Sequence, residues 1–113
     1  MSDTCLFCQI IRGTIPATLV GSNDHAIAFR DLHPQAPSHL LVIPRRHVAS
    51  LNEAADGGEL GALMFLAAEV ARTEGVAESG YRVVANTGND GGQTVHHLHL
   101  HVIGGRVMHW PPG

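Results

Sequence analysis

From His97 to Val102 the chain alternates imidazole and aliphatic side chains without a break, His-Leu-His-Leu-His-Val, and closes on Ile103. A period of two belongs to the β-strand, because successive side chains leave an extended backbone on opposite faces. The alternation predicts a strand over residues 95–103, with Leu98, Leu100 and Val102 on a buried back and His97, His99 and His101 together on the front. The three imidazoles then stand at intervals of roughly 6.5–7 Å. Imidazole titrates near about pH 6.5, so such a row can attack, donate protons and accept them under cellular conditions. The competing uses are a plain polar strand face, which Lys, Thr or Glu would provide as well, and metal binding by the row itself.

A strand with one buried face needs partners, and the chain supplies them. Residues 19–22 and 26–30 flank Asn23-Asp24 as a hairpin, and residues 39–43 form a short buried strand between Pro37 and Pro44. Residues 81–86 form another, joined to the histidine strand through the turn-rich stretch 87–92. One long helix follows from Leu60, Leu63, Met64, Ala67, Val70 and Ala71, with Asp56 and Glu59 spaced as a capping box. A short helix over residues 5–12 is stopped by Gly13 and Pro16. The expected fold is α+β, a mainly antiparallel sheet with one long and one short helix on one side of it.

Length and charge narrow the function. With 113 residues, 44% of them hydrophobic, the chain is expected to form a single domain over residues 1–113. A formal charge of -3 provides no basic footprint for a nucleic acid polymer. The longest apolar run, residues 62–68, falls far short of the roughly 18 residues of a membrane span. The first positive charge is Arg12 and no basic-then-apolar leader opens the chain, so a cytoplasmic location without membrane association is expected. Cys5 and Cys8, three positions apart, then read as reduced thiols or metal ligands. Their spacing suits one corner of a tetrahedral site, and equally suits two small buried side chains on one helix face.

The stretch from His97 to Ile103 matches the histidine triad pattern. Asp31, Pro34-Gln35-Ala36-Pro37-Ser38-His39, Val42-Ile43-Pro44, Asn86, Gly91-Gly92-Gln93 and the terminal His109-Trp110-Pro111-Pro112-Gly113 extend the match over nearly the whole chain. The sequence therefore resembles the histidine triad (HIT) family, in its branch of nucleotide-binding proteins. The resemblance implies a purine nucleoside phosphoramidase that cleaves the P–N bond between a purine mononucleotide, AMP- or GMP-like, and an amine. In that scheme His99 attacks phosphorus, His101 hydrogen-bonds the phosphate, and His97 and His39 complete the catalytic set. Asp31 would take the ribose hydroxyls, Phe7, Ile10, Phe29 and Leu32 the base, and Asn86, Gly92, Gln93 and Thr94 the phosphate. Ile27 shares a strand face with Phe29 and Asp31. Thr94 stands where the branch commonly has Ser. His96 replaces a frequent aromatic and is expected to pack on the back face, while Arg45 and Arg46 are expected to be a solvated edge.

The resemblance also implies a homodimer with a continuous sheet. Residues 107–113, including Trp110, would form a tail at the interface, reaching the partner's site. Catalysis needs no cofactor in this scheme. In some triad proteins a similar cysteine pair joins two histidines, here matching His47 and His97, as a structural zinc site. Two other readings are weighed with this one: hydrolysis or transfer on dinucleoside polyphosphates or other nucleotidyl esters, and a non-catalytic nucleotide-binding regulator.

Overall fold

In this computed structural model, which describes residues 4–113, every residue of the central strand β3 (Ser38–Pro44) is buried. A strand buried on both faces must lie inside a sheet that is covered on both sides. The hairpin of β1 (Leu19–Ser22) and β2 (Ala26–Arg30) lies against one edge of β3. On the other edge lies β5 (Leu100–Gly104), followed by β4 (Tyr81–Val84), so the antiparallel order is β1-β2-β3-β5-β4. The hairpin turn closes on Asn23, whose Oδ1 accepts the N–H groups of His25 and Ala26 at 2.9 Å.

Register sorts the side chains. Phe29 opposes Leu41, Leu41 opposes His101, and His39 opposes Ile103. One face of the sheet thus carries Ile27, Phe29, His39, Leu41, Ile43 and His101. Helix α1 (Leu6–Arg12) covers this face by placing Phe7 among Ile27, Phe29, Leu41 and Ile43. The opposite face, with Ala26, Ala28, Leu40, Val42, Leu100 and Val102, packs on helix α2 (Gly57–Thr73). The two helices therefore lie on opposite sides, not on one side as the element order suggested, because β3 has apolar residues pointing both ways.

Local signals place both helices. Gly13 ends α1 at φ 79°, a conformation glycine adopts without Cβ strain. Asp56 caps α2 by accepting from Gly58 and Glu59 N–H. The capping box is left half made. The buried Glu59 carboxylate instead meets Arg46 at 2.9 Å, so Arg46 is a tie between α2 and the strand end and not merely a solvated edge. The inward stripe of α2 runs through Leu63, Leu66, Ala67, Val70 and Ala71. Met64, expected in that stripe, is 53% exposed, since Leu66 takes the inward place. Both later strands are shorter than expected: residues 85–99 leave the ladder, and Leu98 N–H bonds Val48 C=O at 2.6 Å in place of a strand partner.

Candidate active site

Although only His101 of the three histidines lies within β5, the alternation persists through the irregular segment before it. Leu98 is buried with Leu100 and Val102 against α2, while the His99 and His101 rings meet on the front, 5.0 Å between centroids. The hydrogen bonds assign tautomers. His99 Nδ1 lies 2.7 Å from the His97 carbonyl oxygen, which can only accept, so Nδ1 carries the proton and the neutral ring presents a bare Nε2. Gln35 N–H donates to His39 Nδ1 at 3.0 Å, so His39 carries its proton on Nε2. That Nε2–H faces His101 Nδ1 at 2.9 Å, with Asp31 Oδ2 at 3.3 Å. His101 accepts at Nδ1 and therefore offers Nε2–H as a donor. A nitrogen–nitrogen separation of 2.9 Å fits a shared proton better than a metal ion, which would set the two apart by about 3.3 Å.

Burial favours the neutral imidazoles. It lowers the pKa of His97, His99 and His39, with Asp31 partly offsetting the effect at His39. Burial, together with the neighbouring His99 and His39, pushes His101 down to about 4. At neutral pH the site thus combines an uncharged nucleophilic nitrogen with an uncharged N–H donor.

A cleft of about 300 Å³ opens in front of these rings. Phe7, Ile10, Phe29, Asp31, Leu32 and Thr94 line it with His99 and His101, so the structure brings together six of the nine residues expected around a nucleotide in the same chain. Phe7 packs edge-on to both Phe29 and His99. The Asp31 carboxylate accepts His33 N–H at 2.8 Å and keeps lone pairs for further donors. Leu6, Ile15, Pro16, Ala17, Arg30, His33, Leu41 and Val95 complete the lining and were not anticipated there. For Leu41 the signal existed only in the register, which sets it between Phe29 and His101.

Three expected contacts are not found at the cleft. Gln93 is buried with its amide committed to backbone: Oε1 accepts Gly88 N–H, and Nε2 donates to Ala49 and Val95 carbonyls. Asn86 donates to Gly91 C=O at 2.6 Å, and Gly92 lies in the same turn, so both shape the loop and neither lines the cleft. Trp110 is 81% exposed, outside the cleft of its own chain. His96 is exposed and does not pack on the back face. A wider groove of about 550 Å³ between β4 and the start of the tail contains no histidine, cysteine or carboxylate and offers none of this chemistry.

Behind His99 lies a second cluster. His97, fully buried, donates Nε2–H to Pro44 C=O at 3.0 Å and turns its bare Nδ1 to Cys5 Sγ at 3.4 Å and Cys8 Sγ at 3.6 Å. His47 Nδ1 lies 3.3 Å from Cys8 Sγ. Zinc–sulfur and zinc–nitrogen bond lengths set the sulfur–nitrogen edge of a tetrahedron at about 3.5 Å, so these separations fit a closed Cys₂His₂ zinc site. All four ligand atoms lie within 4.8 Å of one another. Burial, reinforced by Cys5, raises the pKa of the Cys8 thiol, and a bound cation would reverse that. Both cysteines are free.

A five-stranded antiparallel sheet presents at one cleft a neutral imidazole with a bare nitrogen and a second imidazole with an N–H to donate, a site equipped for nucleophilic chemistry by histidine. The chain belongs to the HIT domain family, whose pattern matches residues 12–108. It is 44% identical over 110 residues to the purine nucleoside phosphoramidase of Escherichia coli K12, covering 96% of this chain and 92% of that protein. It is 50% identical over 115 residues to an uncharacterized HIT-like protein of Synechococcus elongatus, covering the whole of both. The solved structure of a HIT family hydrolase from Legionella pneumophila superposes with a TM-score of 0.93 at 49% identity, over 97% of this chain and 100% of that one.

Proposed function

We propose that the chain is a purine nucleoside phosphoramidase. The observation that carries this reading is the bond from His99 Nδ1–H to the His97 carbonyl, which leaves Nε2 bare at the cleft beside a second imidazole donor. His99 Nε2 attacks the phosphorus of a nucleoside phosphoramidate. The N–P bond to His99 forms as the P–N bond to the amine breaks, and the amine leaves with a proton drawn from solvent, which the water consumed in the second step returns. Water then attacks the nucleotidyl-histidine, releasing the mononucleotide and restoring the imidazole. His101 donates Nε2–H to a phosphate oxygen as charge grows there, and His39 holds His101 in the donating tautomer. Asp31 receives ribose hydroxyls, Phe7, Ile10, Phe29 and Leu32 face the base, and Thr94 stands at the phosphate end. The relative from Escherichia coli, alike over nearly the full chain, supports this substrate class.

The chain acts as one domain, and two copies form a dimer through the open edge of β4. Support comes from exposed Val107 and Trp110 in the tail, which Arg82 of β4 holds by a hydrogen bond to His109 C=O. No helix among the described residues is long and apolar enough to cross a membrane. Free thiols facing imidazoles agree with a reducing cytoplasm. Cys5, Cys8, His47 and His97 hold a structural zinc, which supplies a tie between α1 and the loop before β5 and takes no part in the reaction. Elemental analysis should find about one zinc per chain, lost in Cys5→Ser; metal-free protein with undiminished thermal stability rejects the metal.

Incubation with the adenosine 5′-phosphoramidate of lysine tests the activity. Release of AMP faster than from diadenosine polyphosphates supports it, the reverse order assigns the site to nucleotidyl esters, and no release from either removes the enzyme reading. Sedimentation equilibrium should give twice the 12.0 kDa chain mass; a monomer at micromolar concentration rejects the dimer.

A further inference from the structure

We propose that metal in the Cys5–Cys8–His47–His97 cluster and nucleotide in the cleft bind cooperatively, with helix α1 as the coupling element. The proposal rests on the zinc and nucleotide readings above and adds a thermodynamic link between them. Cys8 on α1 and Cys5 at its N-cap enter the cluster, while Leu6, Phe7 and Ile10 of the same helix line the cleft. The two cysteines bracket Phe7, whose ring stands edge-on to His97 at 5.8 Å and to His99 at 5.1 Å. His97 is shared in a second way: its ring belongs to the cluster and its carbonyl accepts the hydrogen bond from His99 Nδ1–H.

A seven-residue helix is too short to hold its form without tertiary contacts. On the sheet α1 is held by Phe7 and its apolar neighbours and, at its N-terminal end, by the cysteine–histidine cluster. Without metal, the cluster contributes to that end thiol–imidazole contacts of 3.3–3.6 Å, which are weak hydrogen bonds. Nucleotide binding must then order the wall it packs on. Four metal–ligand bonds would order that wall beforehand, so the nucleotide meets a prepared surface. The linkage is reciprocal: whatever factor metal adds to nucleotide affinity, nucleotide adds to metal affinity.

The test uses full-length protein, stripped by chelator and reloaded with one equivalent of zinc. The probe is adenosine, which packs on the α1 wall and has no phosphate to capture the ion. Calorimetry should show adenosine binding at least about fivefold tighter to loaded protein, the lower end of coupling between sites. Competition with a chromophoric chelator should show the same factor in zinc affinity when adenosine is added. Amide exchange across Leu6–Arg12 should slow with zinc alone, and Cys8→Ser should give the weaker adenosine affinity whether or not zinc is added. Circular dichroism confirms that stripped and substituted proteins remain folded; if they do not, the chelator competition on wild type alone decides. Zinc bound with adenosine affinity unchanged within twofold overturns the coupling and leaves the zinc site standing. Failure of zinc to bind rejects the zinc reading and the coupling with it. Failure of adenosine to bind either form rejects the nucleotide reading and equally ends the proposal.

Discussion

Replacing His39 by Asn isolates the proton arrangement behind the phosphate donor. Asn Oδ1 lies in the place of His Nδ1, so it still accepts Gln35 N–H, while the Nε2–H that His101 accepts at 2.9 Å is deleted. The substitution shortens a buried side chain, and its stability cost is partly limited by the retained hydrogen bond. The neutral His101 ring is then free to adopt either tautomer. Equal occupancy would cost only about twofold in rate, since half the molecules still present Nε2–H. Loss of the donor altogether would cost about 10²–10³-fold in kcat, as for an oxyanion-stabilising hydrogen bond. Loss of ring orientation adds to the first figure without reaching the second, and outer partners of functional histidines are typically worth about 10–100-fold. We expect kcat for AMP release from an adenosine phosphoramidate to fall by about 10–100-fold in His39→Asn, by more in His101→Ala, with adenosine affinity nearly unchanged in both. Because His39 acts through His101, the double variant should be no slower than His101→Ala alone. Additive losses in the double variant, or a His39→Asn rate within twofold of wild type, would refute this arrangement.

His99→Ala should lose turnover while still binding AMP, and rapid-quench mass spectrometry of the wild type should find one adenylate on the peptide carrying His99; activity near wild type in the variant removes the covalent step. The downshifted imidazoles also predict acid behaviour. His101 protonates near about 4 when folded and near the ordinary 6.5 when unfolded, so its contribution to stability is complete above about pH 6.5 and is lost as pH falls toward 4. Melting temperature should fall across that window more in wild type than in His101→Asn, and equal slopes would contradict it. Gly21→Ala tests the packing of α2: an added Cβ would sit 2.9 Å from Val70 Cγ1 and 3.3 Å from Leu66 Cδ1, so stability should drop by about 1–3 kcal/mol with AMP affinity unchanged, read by urea unfolding.

The local features of this chain were legible where a short-range rule governs them. Alternation placed Leu98, Leu100 and Val102 on the back and His99 and His101 on the front; Asn23 closed the first hairpin, and Gly13 and Asp56 bounded the helices. Each of those depends on neighbours within a few residues. The Cys5–Cys8 spacing marked half of a cluster, and only likeness to other proteins brought His47 and His97 into it. What lay beyond sequence was every feature that depends on partners distant in the chain. Strand ends at 84 and 100, the burial of both faces of β3 and the placing of α1 opposite α2 follow from pairing register and from where apolar surface could be covered. Gln93 and Asn86 carry the same amide chemistry whether they bind phosphate or backbone, and the fold turns both to backbone: Gln93 because it is buried and must be paired there, Asn86 because the turn brings Gly91 C=O to its amide. The tautomer of His101 was likewise invisible in the sequence, since a proton's place on an imidazole is set by the atom facing it, and only the folded chain brings the His39 Nε2–H to that ring from 62 residues away.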